Sequence, residues 1–424
     1  MKILWIKAGG LVPADTGGKI RSYNILRELA RRHSISLFSF YGEHENDCHS
    51  ELRGYFESVV CVPLKLPERR SLAAMKDYGL ALFSSLPYNI SRFCRPEVRR
   101  ELSGVLRARA YDAIVCDFLV PAPLIPWDYP CPKIIFTHNV EATIWRRHYE
   151  VASNPAWKTL SWFEWRRTLR AERKYLQLAD HVLAVSETDR DHFLQLLQPE
   201  SVTVIPTGVD VEYFHPVATQ EAQQSLVFTG SMDWLPNEDA ALYFMDKILP
   251  LIRREFPSAP FSIVGRKPSA RLRAVCEKDH NVQLTGRVED VRPYLAQAAV
   301  CVVPLRIGGG TRLKIFEAMS MGKAVVSTTI GAEGLPVRDG EHLLLADDCS
   351  AFAEAVAGLL RDSERRRRIG LTARRLVEEK YCWARVAEAF SNALTDVVSK
   401  WRCHRSDRFR DTVQAASGPN PVNR

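Results

Sequence analysis

The chain has 424 residues, of which 46% are hydrophobic and 25% charged, so it is long enough for two or three domains that each bury a core. This composition excludes a small disulfide-stabilised scaffold and a disordered protein. The formal net charge of +8 favours anionic partners without separating nucleic acid, phosphate and membrane.

The N-terminus carries only the short apolar run Ile3 to Ile6 after Lys2, too short for a signal-peptide core or a membrane span. The ten cysteines are spaced singly, without the Cys-x-x-Cys pairs that thiolate metal sites use. We therefore expect a cytoplasmic protein without a metal, whose contact with a membrane is limited to the surface of the inner face.

Short β-branched apolar runs alternate with longer amphipathic stretches along the whole chain. Strands are predicted at Lys2–Ile6, Ile35–Phe40, Val59–Val62, Ala113–Asp117, Lys133–Thr137, Val182–Val185, Val202–Ile205, Leu226–Thr229, Phe261–Val264, Val282–Thr285, Val300–Val303, Ala324–Ser327 and Leu343–Leu345. Strands that alternate with helices and are apolar on both faces indicate parallel sheets covered by helices. The sequence predicts an α/β protein with two Rossmann-like, doubly wound domains.

The boundary between the domains is predicted at Ile205–Asp210, where Pro, Gly and Asp end a strand and begin a linker. Residues 1–205 then form the first domain and residues 206–383 the second. A final amphipathic helix, about 384–400, is able to pack back on the first domain. Residues 401–424, rich in Arg and then in Gly and Pro, are predicted to be a disordered basic tail.

The densest group of candidate site residues lies between Pro304 and Gly322. Three consecutive glycines, Gly308 to Gly310, enter a helix and offer backbone N–H groups to an anion. Thr311 follows the glycines. Arg312 and Lys314 are placed to bind a diphosphate, and the carboxylate of Glu317 can accept hydrogen bonds from the hydroxyls of a ribose.

Several motifs resemble glycosyltransferase family 4, the retaining enzymes of the GT-B fold, over most of residues 1–400. In the second half the matching segments are 229–232, 234–237, 263–266, 285–288, 316–319 and 331–335, and in the first half they are 16–21, 137–139, 184–187 and 205–210. The resemblance implies two Rossmann-like domains facing across a cleft. It also implies a hexosyl or glycosyl transfer from a nucleoside diphosphate sugar to an acceptor hydroxyl, without a metal or cofactor, in polysaccharide or glycolipid biosynthesis.

The resemblance also implies roles for individual residues. His138 would contact the transferred sugar or its leaving phosphate. Gly17 and Gly18 lie between the first strand and the first helix, where the backbone is able to approach the diphosphate or the acceptor. The catalytic group would be His138, Arg312, Lys314 and Glu317; the donor-binding group would be Gly17, Gly18, Gly230, Ser231, Arg287, Val288, Gly308, Gly309, Gly310 and Thr311.

The sequence departs from the family pattern in two respects. Gly309 stands where the family has a first Glu that touches the donor sugar, so sugar recognition should differ here. Ser231 and Asn237 stand where many members have an Arg and a Lys for the diphosphate. We expect Arg312 and Lys314 to replace these cations, as in a subgroup with Gly-Gly-Thr-Arg-Leu-Lys before the helix that holds Glu317.

Residues 145–174 contain four tryptophans and eight Lys or Arg against three Glu. Such a stretch is typical of a helix in an anionic membrane interface, and equally of a helix pair with a solvated basic face. Dispersed basic residues without a reader motif do not favour nucleic acid. Two other functions stay open: a nucleotide-sugar epimerase of the same fold and a non-catalytic nucleotide-sugar-binding protein.

Overall fold

The chain forms two compact units, described from a computed structural model. One unit comprises Met1–Ile205 together with Ala387–Arg424, and the other comprises Pro206–Val386. The structure describes residues 1–14, 16–42, 49–67, 71–152, 154–198, 201–217, 221–222, 224–307 and 313–416.

The first unit is built on a seven-stranded parallel sheet with the order β3-β2-β1-β4-β5-β6-β7. Its strands are β1 (Lys2–Ala8), β2 (Ser34–Gly42), β3 (Ser58–Leu64), β4 (Ala113–Asp117), β5 (Lys133–Phe136), β6 (His181–Ala184) and β7 (Val202–Val204). Its helices are α1 (Gly17–Leu29), α2 (His49–Leu52), α3 (Leu72–Ala81), α4 (Tyr88–Ser91), α5 (Pro96–Ala108), α6 (Glu141–Val151), α7 (Pro155–Leu178) and α8 (Glu187–Leu194), with a 3₁₀ turn at Ala122–Leu124.

The second unit repeats the plan on a six-stranded parallel sheet with the order β10-β9-β8-β11-β12-β13. Its strands are β8 (Leu226–Thr229), β9 (Phe261–Val264), β10 (Val282–Gly286), β11 (Val300–Val303), β12 (Ala324–Ser327) and β13 (Leu344–Leu345). Its helices are α9 (Leu235–Tyr243), α10 (Leu249–Ile252), α11 (Ala270–Cys276), α12 (Arg292–Gln297), α13 (Leu313–Ser320), α14 (Cys349–Arg361) and α15 (Ser363–Lys380), with a π-helical segment at Phe244–Ile248, and α16 (Trp383–Ala416) begins in this unit and continues in the first.

The prediction of two parallel α/β sheets is confirmed, and each predicted strand is present with its ends shifted by at most two residues. In both units the strand order reverses beside the first strand, between β1 and β4 and between β8 and β11. Open parallel sheets bind ligands outside the carboxyl ends of the strands at such a switch point. We therefore expect a ligand to contact the residues that follow these four strands.

The last helix contributes to the core of the first unit. Trp5 on β1 packs against Phe390 of α16, with ring centroids 5.4 Å apart, and Phe390 also meets Phe136 at 5.2 Å. The backbone of α16 continues to Ala416, past Trp401, where the composition predicts a disordered tail. The chain has no Gly or Pro between Trp401 and Ser417, so nothing in that stretch interrupts a helix. Residues 417–424 lie outside the described part.

Candidate functional site

At the carboxyl end of β8, two backbone segments of the second unit approach too closely to admit side chains. A Cβ atom at Gly265 would overlap the carbonyl oxygen of Gly230. A Cβ at Gly230 would lie 2.7 Å from both Lys314 Nζ and Asn237 Nδ2. The glycines after β8 and β9 thus bring polar groups of α9 and α13 against bare backbone at the switch point.

Lys314, on the first turn of α13, points at this backbone. Its Nζ donates a 2.8 Å hydrogen bond to Oδ1 of Asn237, which is buried, and lies 4.1 Å from the centre of the Phe228 ring. Asn237 in turn donates to the carbonyl of Ser231, at 2.9 Å. The ammonium group is therefore held beside Gly230 by an amide and an aromatic face.

A second cation reaches the same segment from the loop after β9. Nε of Arg266 donates to Oγ of Ser231 at 2.8 Å, and Ser231 donates to Oδ1 of Asp233 at 2.6 Å. The hydrogen bond from Ser231, followed by the charges of Arg266 and Lys267, holds the pKa of Asp233 below its usual value. Ser231 and Asn237 stand where many family members carry cations, and each is bonded here to a cation from elsewhere in the unit.

Glu317 lies three residues after Lys314 on α13 and is partly buried. Burial raises the pKa of its carboxyl to about 7, and Lys314 acts in the opposite direction. A carboxyl in this condition gains from any ligand that donates hydrogen bonds to its ionised form. Adjacent sugar hydroxyls are donors of that kind.

The structure describes only some of the other predicted donor-binding residues. Gly308, Gly309, Gly310, Thr311 and Arg312 lie outside the described residues. Arg287, which is exposed, and Val288, which packs against the core of the unit, directly follow β10, which ends at Gly286 with φ of +71°. The structure brings Gly230, Ser231 and Lys314 together, while the roles of all these residues stay predictions.

The switch point of the first unit holds a buried polar cluster. Asp117, at the end of β4, accepts hydrogen bonds from Lys7 Nζ at 3.1 Å, Trp5 Nε1 at 2.9 Å and His138 Nε2 at 2.8 Å. Lys7 also reaches Oγ of Ser22, at 3.3 Å. Burial alone would raise the pKa of Asp117, but Lys7 and His138 outweigh it and hold the pKa well below its usual value.

His138 uses both ring nitrogens inside this cluster. Its Nδ1 lies 3.0 Å from Nη1 of Arg21, and a guanidinium can only donate, so Nδ1 must be the acceptor. The proton is therefore on Nε2, facing the carboxylate of Asp117, and the ring is neutral. Burial is also the main cause that lowers the pKa of His138. In the described structure both ring nitrogens of His138 are bonded, to Arg21 and to Asp117, and its contact with the donor stays a prediction.

The ring of His138 also fixes the entry to α1. It stacks on Phe118 with centroids 3.8 Å apart and planes 6° apart, and Phe118 has φ of +70°, a conformation that non-glycine residues rarely adopt. A Cβ at Gly18 would lie 2.7 Å from the edge of the Phe118 ring. Gly17 begins α1 and is exposed, so the N-terminus of this helix stands next to the cluster.

A pair of acids lies beyond His138. Glu172 of α7 accepts the backbone N–H of Glu141 at 2.9 Å, at the start of α6. Burial raises the pKa of Glu141 to about 7, and burial followed by the charge of Glu141 raises the pKa of Glu172 to about 8. The Glu172 carboxylate thereby satisfies a backbone N–H at the start of α6.

Several residues of these clusters were not singled out from the sequence, among them four charged residues: Arg266, Asp117, Lys7 and Arg21. Arg266 follows β9, and Asp117 ends β4, so the rule that ligands meet the carboxyl ends of strands identifies both positions. Lys7 and Arg21 carried no such signal, because a lysine inside a strand and an arginine in the second turn of a helix usually face solvent.

Within the described ranges there is neither a candidate metal site nor a candidate membrane-spanning helix. No cluster of three or more His, Cys, Asp or Glu side chains there could hold a metal ion. No helix in those ranges is long and apolar enough to cross a bilayer.

Two protein-family models match the chain in its two halves. The model described as Glycosyltransferase Family 4 matches residues 16–213, and the one described as Glycosyl transferases group 1 matches residues 223–362. Together they cover well over half of the chain.

Individual relatives match different shares of the chain. A Klebsiella pneumoniae protein, described as an uncharacterized 44.6 kDa protein in the cps region, is 21% identical over 90% of this chain and 96% of its own length. The phosphatidyl-myo-inositol mannosyltransferase of Mycobacterium tuberculosis is 28% identical, over 48% of this chain and 56% of its own length. This chain therefore matches only about half of the mannosyltransferase.

Solved structures share the fold. The sucrose-phosphate synthase of Thermosynechococcus elongatus has a TM-score of 0.71 and 18% identity, with 94% of this chain and all of that one covered. HepE of Anabaena in complex with UDP has a TM-score of 0.65 and 14% identity, with 93% and 100% covered. With its two parallel sheets and both family matches, the chain has the GT-B fold and belongs to the family 4 glycosyltransferases.

Proposed function

We propose that the protein transfers a sugar, with retention of the anomeric configuration, from a nucleoside diphosphate sugar to an acceptor hydroxyl. The observation that supports this most is the placement of Lys314 Nζ beside the bare backbone of Gly230, with Arg266 bonded to the next residue, Ser231. Two cations and unprotected backbone at the switch point of a parallel sheet suit a diphosphate.

Leaving-group stabilisation would be the main task of this site. The bond between the sugar C1 and the diphosphate oxygen breaks, and negative charge collects on the departing phosphate as the sugar becomes oxocarbenium-like. The acceptor oxygen bonds to C1 on the same face, and its proton leaves with the nucleoside diphosphate. We assign no protein nucleophile, and Glu317 would hold the ribose.

We further propose that no metal is needed, because Lys314 and Arg266 supply the charge that a divalent cation would otherwise give. They take over from the Arg and Lys that many family members carry at positions 231 and 237. Arg312 is proposed as a third cation. Activity that persists after dialysis against EDTA supports this, and activity restored only by a divalent cation contradicts it.

Donor and acceptor classes are suggested by the names of the similar proteins. HepE was crystallised with UDP and with UDP-glucose, and the Mycobacterium tuberculosis relative is named for phosphatidyl-myo-inositol. We propose a nucleoside diphosphate hexose as donor and a polysaccharide or glycolipid precursor as acceptor, reached at the inner face of a membrane through residues 145–174.

A two-step experiment tests the function. UDP-, GDP- and ADP-sugars are screened by thermal shift, because a ligand that binds only the native state raises its melting temperature. The best donor is then incubated with acceptors, and the anomeric configuration of the product is read by proton NMR. Lys314→Met should abolish both responses, whereas Lys247→Met, which removes an exposed lysine of the same unit, should change neither.

The outcomes separate the competing functions. Retained configuration in a transfer product supports the proposal, and inverted configuration overturns its stereochemical part. Conversion of the donor alone to an epimer would favour an epimerase. Donor binding without transfer to any acceptor or to water would favour a non-catalytic binding protein.

A further inference from the structure

Helix α3 exposes its apolar side chains and buries none. Leu72 is 84% exposed and Phe83, just past the end of the helix, 93%, and Met75 and Leu80 are exposed on the same side. A helix of ten residues without a buried face is only marginally stable in water unless something else holds it. The apolar side chains of α3 therefore contribute nothing to the core of the unit.

Polar contacts hold α3 in place instead. Tyr78 donates to Glu164 of α7 at 3.2 Å, and Arg167 of α7 donates to the carbonyls of Ala81, at 3.3 Å, and Leu82. Asp77 accepts from Arg95, at 3.1 Å. These bonds lie on the inner side of α3 and keep its apolar side turned outward.

The outer face of α7 is basic and aromatic. The two carboxylates of this helix, Glu164 and Glu172, are 1% and 2% exposed, so neither offsets charge at the surface. Its exposed residues include the cations Lys158, Arg166, Arg170, Arg173 and Lys174 and the aromatic residues Trp157, Trp162 and Phe163. From Lys158 to Lys174 this row extends over about 24 Å.

The two faces adjoin at Arg167. Phe163 lies one turn before Arg167 on α7, and one of the two carbonyls that Arg167 reaches belongs to Leu82, which directly follows α3 and precedes Phe83. The exposed apolar side of α3 is thus continuous with the basic face of α7. Helix α6 adds less charge, because its exposed Arg146 is paired with Glu150, at 2.7 Å.

Charge decides which partner fits this surface. A second copy docked face to face would set the row of α7 cations against the same row, without exposed carboxylates on α7 to relieve the repulsion. A bilayer with anionic headgroups offers phosphates to the cations and acyl chains to the apolar residues in one arrangement.

We propose that α3 and α7 form a peripheral membrane-docking surface that takes anionic phospholipid. The side chains of Leu72, Met75, Leu80 and Phe83 enter the interface between headgroups and acyl chains, while the α7 cations pair with lipid phosphates. This deepens the membrane contact within the proposed function: it adds α3, and it identifies the outer face of α7 as the charged part.

Vesicle co-sedimentation of the full-length protein tests the surface. The vesicles are phosphatidylcholine alone or phosphatidylcholine mixed with phosphatidylglycerol, at low and high salt. The wild-type protein should bind the mixed vesicles, and salt should weaken that binding. Phe83→Ser with Leu80→Ser should lower partitioning by about tenfold or more, as expected when buried apolar area is lost.

Charge reversal tests the basic face against a matched control. Arg166→Glu with Arg170→Glu should reduce partitioning onto mixed vesicles by about 25-fold or more, at about fivefold for each cation removed. Arg368→Glu with Arg375→Glu, a pair of exposed arginines on α15, should leave partitioning nearly unchanged. Equal losses in both pairs would show attraction by net charge alone and would overturn the surface.

Two further outcomes also overturn the proposal. One is binding to phosphatidylcholine alone that equals binding to the mixed vesicles. The other is a concentration-dependent dimer in sedimentation velocity that Phe83→Ser abolishes, since the face would then be an interface between two copies. Donor binding, measured in the same variants by thermal shift, should be unchanged, so loss of vesicle binding is distinguishable from failure of the proposed transfer function.

Discussion

Glu317→Gln should make the ligand-free protein more stable at alkaline pH and make it bind its donor less well. The carboxyl has its pKa raised from 4.5 to about 7 by burial, so ionising it in the native state costs about 2–3 kcal/mol, at about 1.4 kcal/mol per pH unit and with some allowance for partial exposure. The glutamine variant has no charge to bury, so it escapes this cost.

The direction of the pH dependence follows from the raised pKa. Between pH 4.5 and about 7 the native state keeps a proton that the unfolded chain has lost, so the stability of the wild-type protein falls as pH rises through this window. Above pH 7 both states are ionised and the penalty is complete. Glu317→Gln should therefore match the wild type below pH 4.5 and exceed its melting temperature by about 5 °C or more at pH 8.

Glu317→Gln should weaken donor binding, although it stabilises the ligand-free protein. Loss of hydrogen bonds to a charged acceptor costs about 1.5–3 kcal/mol, which corresponds to about 10- to 100-fold weaker binding at pH 8 by calorimetry. Affinity of the wild type should also fall as pH drops below 7, whereas that of the variant should not. Glu379→Gln, at an exposed carboxyl on α15, is the control. Unchanged donor affinity, or a lower melting temperature at pH 8, would refute the role of Glu317.

Other consequences of the two clusters can be measured directly. Gly265→Ala should abolish donor binding, because the added methyl group overlaps the Gly230 carbonyl, whereas Gly104→Ala, in open space on α5, should be neutral or slightly stabilising; a Gly265→Ala protein that binds normally would contradict the close approach. Asp117→Asn should destabilise the fold by about 3 kcal/mol or more in urea denaturation, since it leaves Lys7 buried without its carboxylate, and a loss below about 1 kcal/mol would count against the cluster. Nitrogen-15 NMR should find His138 as the neutral Nε2–H tautomer at pH 6, and an imidazolium there would show that the bond from Arg21 is not formed.

The strands were predictable because burial on both faces leaves apolar runs with little ambiguity. Ala113–Asp117 and Phe261–Val264 are examples whose limits match the predicted ones. Gly230, predicted as a donor-binding residue, directly follows a strand, and a Cβ there would meet Lys314 and Asn237. At all of these positions a local sequence pattern is enough to predict the backbone structure.

The polar clusters were harder to predict, because their members pair with residues that are distant in the sequence. Nothing near Ser231 indicates that Arg266 will donate to it, and nothing near His138 indicates Arg21, 117 residues earlier. The resemblance implied that His138 meets the donor, whereas in the described structure its ring nitrogens are bonded to Asp117 and Arg21. The exposure of the apolar side chains of α3 was also not predictable, because its sequence resembles that of a core helix.

A crystal structure with the nucleoside diphosphate that gives the largest thermal shift tests the central claim most directly. The account predicts the diphosphate within hydrogen-bonding distance of Lys314 Nζ and the backbone after β8, with both ribose hydroxyls on the Glu317 carboxylate. A nucleotide bound elsewhere in the second unit, with Lys314 still bonded to Asn237 and away from the diphosphate, would contradict it.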